Sequence, residues 1–454
     1  MSDLLLPPGT RLVHIGPHKT GSTALQGALH LARDAMESYG ARYAATGEHA
    51  HRAARALVGG STVRFGPPPE PAVWDEFARE VGEAGDRRVI MSAEAFDAAS
   101  PEQIAKLRDD LGPDRVHILR MVRRYDRILP SWWQEHVKSS IGGQPWPEFV
   151  ERILAADDNW FWRRSSYAAA TKVWADVVGP ERVTVVIVDE TDRDWLFRVT
   201  ERLLGLPAGL LVPNPEAANP SLSRADAEMT AGVNRVIHAR KWNRQAHTKY
   251  VWSGIVTALG RAASDPAGGR ILLSDKHARL VSELAEAHIA DLRGMGVNVV
   301  GDLDWLEVQP SAGATADDPA LTVAVERVVA AAGGILRMHR HGEPLELTKS
   351  DRRRDRALAP DASKKSPSEA ELEFFRQLAV GRQWPMWRWK RFLVDGAAPW
   401  LGVKLPSLAK LRALPAPATE QRMDTESATA LLAGMIAQSD PRFDDESQSF
   451  LKRT

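Results

Sequence analysis

The chain has 454 residues, 44% hydrophobic and 26% charged, enough to bury a real core in two or three domains. Lys+Arg and Asp+Glu number 59 each, so the global field excludes a polyanionic partner such as nucleic acid, and any basic site must be local. With no cysteine, disulfides, thiolate metal sites and cysteine nucleophiles are excluded, which fits a reducing compartment.

Met1 to Thr10 lacks a basic stretch followed by a long apolar run, so no signal peptide is read there. No run approaches about 18 uninterrupted apolar residues. Leu321 to Leu336 comes nearest but is broken by Glu326 and Arg327. The expected location is cytoplasmic.

In chain order, Leu12-Val13-His14-Ile15 is a short apolar strand ending at Gly16. A helix is predicted from Thr23 to about Ser38, with Leu25, Leu29 and Met36 on its buried side. Further strands are predicted at 88–91, 116–122 and 183–188, the last followed by a helix from about Asp194 to Leu204 that Gly205 closes. Short apolar strands alternating with helices predict an α/β fold with a central parallel sheet flanked by helices. Residues 309–320, rich in Pro, Ser, Gly and Ala, read as a linker, and 349–367 as a charged loop. A last helix is expected near 425–438, before a polar tail.

The segment Gly16-Pro17-His18-Lys19-Thr20-Gly21-Ser22-Thr23 joins the first strand to the first helix. An anion-binding loop belongs there, because a helix N-terminus offers free N–H groups and a positive dipole end. Lys19 adds a point charge, and Ser22 and Thr23 add hydroxyls. Gly16 and Gly21 have the spacing of an ATP-type phosphate loop, but Ser22 follows Gly21 and the lysine lies inside the loop, so this is not the usual G-x-x-x-x-G-K-[ST] order. The third predicted strand ends at Arg123, and Ser131 follows eight residues later. An arginine at a strand end and a serine on the next helix are suited to gripping one phosphate.

Lys19-Thr20-Gly21-Ser22-Thr23 resembles the 5'-phosphosulfate loop of sulfotransferases that use 3'-phosphoadenosine-5'-phosphosulfate (PAPS), whose core is K-[ST]-G-[ST]-[ST]. The Arg123 and Ser131 pair resembles that family's 3'-phosphate motif. The resemblance spans roughly residues 10–235 and points to the bacterial, carbohydrate-type members. It implies a P-loop three-layer fold for a catalytic domain expected over residues 1–308; residues 321–454 resemble no known family and are read as a mainly α-helical region of unknown role. It also implies transfer of a sulfuryl group from PAPS to a hydroxyl or amine, with PAP as product. Gly16, His18, Lys19, Thr20, Gly21, Ser22, Thr23, Arg123 and Ser131 would bind the nucleotide, and the acceptor would be a glycan, glycolipid or other small molecule. The family's late R-K-G motif has no clear match.

The chemistry needs a base for the acceptor proton and positive charge near the bridging oxygen. Lys19 is the natural electrostatic group. Glu94 follows the second predicted strand and should project from its carboxyl edge; in the carbohydrate-type branch a glutamate in that region is the base. His49 and His51 compete for the role. No metal-ligand cluster is read, and a sulfuryl group is less charged than a phosphoryl group, so no metal is expected. Two other readings stand beside this one. A small-molecule kinase using ATP and Mg would have Asp189-Glu190 as its acidic candidates. A non-catalytic protein would retain a nucleotide fold for binding alone.

Beyond residue 320, tryptophans and basic residues interleave in Arg382-Gln383-Trp384-Pro385-Met386-Trp387-Arg388-Trp389-Lys390-Arg391. That composition is compatible with peripheral membrane or glycan contact. On a helical wheel, however, apolar and basic positions mix. The preferred reading is packing onto the catalytic domain or onto a second copy in a homo-oligomer. His339 and His341, without further ligands, are read as surface residues.

Overall fold

The computed structural model describes residues 4–45, 47, 50–59, 68–139, 143–156, 159–214, 221–239, 247–308, 321–340 and 422–439. The expected linker, charged loop and tryptophan-rich stretch lie outside them. Backbone contacts divide the chain into two compact units. The first comprises Met1–Trp132, Val150–Asn219 and Leu272–Ala316; the second comprises Trp133–Phe149, Pro220–Ile271 and Asp317–Thr454. Residues 1–308, expected as one domain, therefore contribute to both.

The first unit is built on a six-stranded sheet. Its strands are β1 (Arg11–Gly16), β2 (Ala41–Tyr43), β3 (Arg88–Ser92), β4 (Val116–Val122), β5 (Val183–Ile187) and β6 (Asn298–Val300), in the order β2-β3-β1-β4-β5-β6. All neighbours are parallel. Every residue of β1 and of β4 is buried. Helices covering both faces demand this, and it is why these strands read as continuous rather than alternating apolar runs.

The chain leaves β1 toward β2 on one side, and leaves β3 toward β4 across β1 on the other. With right-handed crossovers, the connections after β1 and after its two neighbours go to opposite faces. A crevice opens at their carboxyl ends, where ligands of such sheets bind.

Helix α1 (Ser22–Glu37) buries Leu25, Ala28, Leu29, Ala32 and Met36, the i, i+3/i+4 stripe expected of it. With the helix Trp195–Leu204 it packs a core that includes Leu12, Ile90, Leu119, Met121 and Val186. Each large side chain so buried contributes roughly 1.5–3 kcal/mol. Gly205, at φ 71°, closes that second helix in the left-handed conformation. The two edge strands, β2 and β6, have three residues each, too few for a period to show in sequence.

The second unit holds the helices Arg224–Ala239, Val325–Arg340 and Thr425–Ser439, a π-helix His247–Val256, and an antiparallel pair of β7 (Thr322–Ala324) with β8 (Arg422–Asp424). Arg327, one of the charges that breaks the 321–336 run, is buried on Asp226 at 2.8 Å. Arg422 grips Asp265 with two bonds of 3.0 and 2.9 Å. A Cβ on Gly334 would stand 2.3 Å from the Gly254 carbonyl oxygen, so glycine there permits backbone-to-backbone packing of two helices. Among the described residues, no helix is long and apolar enough to cross a membrane.

Candidate functional site

The loop between β1 and α1 turns on three residues with positive φ: Gly16 at 89°, Lys19 at 71° and Gly21 at 99°. Lys19 is the one non-glycine residue so placed among those described. A left-handed conformation costs an L-residue about 1–2 kcal/mol, and such strain gathers at functional loops. Thr20 Oγ1 and Ser22 Oγ both donate to the Pro17 carbonyl, at 2.7 and 3.2 Å, and both residues are buried. The two hydroxyls thus shape the loop. His18, Lys19 and Thr23 are half-buried and Gly21 is exposed.

Gly21 caps α1 with no side-chain hydrogen bond, and the first turn of α1 carries no acid. The dipole end of this 16-residue helix is therefore neither capped nor neutralised locally. Gly21 lies at φ 99°, a conformation L side chains rarely adopt, so the turn favours glycine.

Arg123, just beyond β4, reaches this loop directly. Its Nη1 donates to the Lys19 carbonyl at 3.1 Å. Its Nε and Nη2 hold both Glu190 oxygens, at 2.6 and 2.9 Å. Burial pushes the Glu190 carboxyl up, but the Arg123 bonds and charge, with Arg127 and Arg124 nearby, hold it below the ordinary carboxylate range. Tyr167 Oη donates to the Arg123 carbonyl at 3.2 Å and stacks on Tyr125 at 4.1 Å, so the arginine's backbone is buttressed from behind. Ser131 lies on the helix Tyr125–Ser139, where its hydroxyl donates to the Arg127 carbonyl at 3.0 Å.

Glu94 opens a short 3-10 turn, Glu94–Ala98, directly after β3. A Cβ on Gly16 would stand 3.2 Å from Glu94 Cγ, so the carboxylate side chain packs on the loop's first residue. Its side chain is 14% exposed, and Oε1 lies 3.9 Å from His18 Nδ1. Gln26 of α1 donates to Glu94 Oε2 at 3.2 Å and to Ser92 Oγ at 3.1 Å, while His14 Nδ1 and Ser92 Oγ share a bond of 2.6 Å. Burial pushes the Glu94 carboxyl up. His18, a backbone N–H, Gln26 and His14 outweigh it and hold it at about 2. Burial conversely pulls His14 down to about 4, so its imidazole is neutral at pH 7.

The far end of the 3-10 turn is fixed by a capping box. Ser100 and Gln103 exchange side-chain and backbone bonds at the start of the helix Pro101–Leu111. Asp97 in the same turn accepts from Arg120 Nη1 at 2.9 Å, and both side chains are closed to solvent.

The structure thus brings together Gly16, His18, Lys19, Thr20, Gly21, Ser22, Arg123 and Glu94. It leaves Ser131 bonded within its own helix. The backbone N–H of Ala50 donates to the Ser92 carbonyl at 3.0 Å, which sets His51, the first residue of the helix His51–Val58, at the same sheet edge as Glu94. His49 lies outside the described residues. Asp189 accepts from the backbone and hydroxyl of Thr191, at 2.8 and 2.6 Å, and Glu190 is held by Arg123. No cluster of three potential metal ligands occurs among the described residues.

Sequence reasoning passed over His14, Gln26, Ser92 and Asp97. Gln26 carried one readable signal, a polar residue one position from Leu25 on the buried side of α1. The others lie in or just after apolar strands, where polarity alone does not say which neighbour a side chain meets.

No family model matches the chain, and no curated protein matches it. Among solved structures, the crystal structure of a sulfotransferase from Alicyclobacillus acidocaldarius aligns with a TM-score of 0.32 at 18% identity, covering 55% of this chain and 96% of that one. At that score the likeness is coarse and carries no residue-level correspondence.

Proposed function

We propose that the chain is a PAPS-dependent sulfotransferase, moving a sulfuryl group to a hydroxyl or amine of a small-molecule or glycan acceptor. The observation that carries this reading is the 3.1 Å bond from Arg123 to the Lys19 carbonyl, with Glu94 packed on Gly16. Two anion-binding elements and a carboxylate meet at the carboxyl edge of neighbouring strands, where one nucleotide can be held at both anionic ends.

The residues fit the nucleotide by their donor chemistry. The uncapped start of α1 and Lys19 suit the 5'-phosphosulfate. Arg123 suits the 3'-phosphate, provided Glu190 gives up its fork of donors. Ser131 would join it by turning its hydroxyl away from Arg127. In the transfer, the bond from sulfur to the phosphate oxygen breaks as the acceptor oxygen bonds to sulfur. The leaving PAP takes the electron pair beside Lys19, and the acceptor proton passes to Glu94. Glu94 is ionised at any physiological pH, though a carboxylate held at about 2 is a weak proton acceptor. An acceptor that displaces His18 or Gln26 from it would raise its basicity.

The kinase reading has less support, because its two acidic candidates are both engaged, Glu190 with Arg123 and Asp189 with Thr191. Thermal denaturation with added nucleotide tests the choice. PAP should raise the melting temperature, by about 2.7 kcal/mol of stabilisation at a hundredfold excess over Kd, while ATP with Mg should not. Stabilisation by ATP with Mg alone would replace the proposal with a kinase.

A further inference from the structure

The helix Asp275–Arg293 lies beyond the stretch that resembles the sulfotransferase family, yet its His288 is joined to Arg123 through two tyrosines. Tyr125 Oη and His288 Nδ1 share a bond of 2.7 Å. Tyr125 Oη also accepts from the backbone N–H of Tyr167 at 3.1 Å, and Tyr167 Oη donates to the Arg123 carbonyl at 3.2 Å. The two tyrosine rings stack at 4.1 Å and are closed to solvent. Trp162 completes the group, edge-on to Tyr125 at 5.0 Å and to His288 at 5.8 Å.

The donors in this series all point one way or the other for a reason. Burial pushes both phenols up, so each keeps its proton. The Tyr125 oxygen accepts from Tyr167, so its own proton is left for His288 Nδ1, and the neutral imidazole carries its proton on Nε2. The series ends where the sheet lets go of the chain. The Val122 carbonyl still accepts from Val188 at 2.9 Å, and the Arg124 carbonyl already accepts from Arg127 and Ile128 of the next helix, at 3.1 and 3.0 Å. Arg123 lies between strand and helix, and its carbonyl is the one that Tyr167 holds. A guanidinium grips one anion selectively only when the backbone beneath it is fixed.

Resting on the sulfuryl-transfer reading, we propose that His288 is a positioning residue for the nucleotide's 3'-phosphate. Through Tyr125 and Tyr167 it fixes the peptide from which Arg123 reaches out. The helix Asp275–Arg293 thereby completes a site whose recognisable motifs end at Ser131. His288 touches neither nucleotide nor acceptor in this role; it acts through the arginine.

Titration calorimetry of the full chain with PAP and with AMP, which lacks the 3'-phosphate, tests it. Tyr167→Phe keeps the stack and deletes the last donor; it should weaken PAP roughly threefold to fivefold and leave AMP unchanged. His288→Phe keeps a ring in place, removes the acceptor, and should do the same. His288→Asn, whose Oδ1 can stand in for Nδ1, should return PAP affinity to within about twofold of the parent's. Joining Tyr167→Phe to His288→Phe should add no further loss, since both cut one series. A role in stability alone would instead weaken both nucleotides alike. Should His288→Phe fail to fold, Tyr125→Phe cuts the same bond from its other end. Equal losses for PAP and AMP, no loss in the single variants, losses that multiply in the double variant, or no recovery in His288→Asn overturns the assignment. A parent chain that binds ATP with Mg and not PAP sinks the sulfuryl-transfer reading itself; PAP binding by the parent without selective loss in the variants sinks this inference alone.

Discussion

Two arginines at opposite edges of the sheet, Arg11 and Arg123, are used in opposite ways. At the amino edge, Arg11 is buried and donates to three carbonyls, those of Gly9 and Arg87 from Nη1 and of Gly85 from Nη2, at 2.9–3.0 Å. Arg115 and Arg182 donate to the Gly85 and Pro113 carbonyls but also reach the exposed carboxylates of Asp86 and Asp114, at 4.0 and 3.1 Å. At the carboxyl edge Arg123 holds Glu190, and within β4 and just beyond it Arg120 holds Asp97 and Arg124 holds Asp126. A cavity of about 680 Å³ opens at the amino edge, lined by residues 4–10, 114–117 and 297–300 among others, nearly as large as one of about 730 Å³ beside Asp97. Volume alone does not tell the edges apart; the partners of Arg11 and Arg123 do. A guanidinium spent on backbone carbonyls cannot leave them for a ligand without stranding buried acceptors. One bound to a half-buried carboxylate can exchange it for another anion.

The sharpest way to break this comparison is Lys19→Ala. If the carboxyl edge is the catalytic one, loss of the charge beside the leaving oxygen should lower kcat by at least about 10³-fold, the scale of removing one preorganised electrostatic group. Sulfate transfer to an acceptor panel, followed by mass spectrometry, reads it. Turnover within tenfold of the parent would move the chemistry away from this loop.

Glu94→Gln should cost on the order of 10²-fold in kcat with PAP affinity nearly unchanged, as expected for loss of a general base. The pH profile sharpens it. A base must be deprotonated to act, so activity falls as pH drops through its folded pKa. Glu94, held at about 2, predicts kcat/KM without a base limb between pH 5 and 8. A limb near 6.5, with turnover surviving in Glu94→Gln, would transfer the role to His49 or His51.

A smaller effect separates the edges by pairing two arginine variants. Arg123→Ala should weaken PAP binding roughly tenfold, about 1.4 kcal/mol, and leave the melting temperature close to the parent's. Arg11→Met should do the converse, destabilising the fold by about 2 kcal/mol through stranded carbonyls while PAP affinity holds. Titration calorimetry and thermal denaturation on both variants give the four values.

How much of this was readable in advance divides along physical lines. Four inner strands and α1 were readable because burial on both faces forces long apolar runs and a regular stripe such as Leu25, Leu29 and Met36. The loop was readable because Gly16 and Gly21 punctuate it around a lysine. What could not be read is which side chains meet across the sheet. Arg123 and Glu190 are 67 positions apart, and Gln26 and Glu94 are 68 apart. Nor does spacing show that Ser131 bonds its own helix, since a serine in a helix has the i−4 carbonyl always within reach.

That Arg123 is bound to Glu190 yields the smallest effect and the most specific. To accept a phosphate, Arg123 must release two carboxylate oxygens, and Glu190 must then turn away from a second anion. Both groups are about a quarter exposed, so solvent screens the pair and its contribution is on the order of 1 kcal/mol. Glu190→Gln keeps the shape and removes the charge. It should therefore tighten PAP binding roughly threefold to fivefold, and the gain should shrink as salt rises. AMP, which lacks the 3'-phosphate, should gain nothing. An equal gain for AMP would mean that Glu190 acts on the loop through Lys19 rather than on the 3'-phosphate through Arg123, and weaker PAP binding would mean that the carboxylate positions Arg123 instead of competing for it.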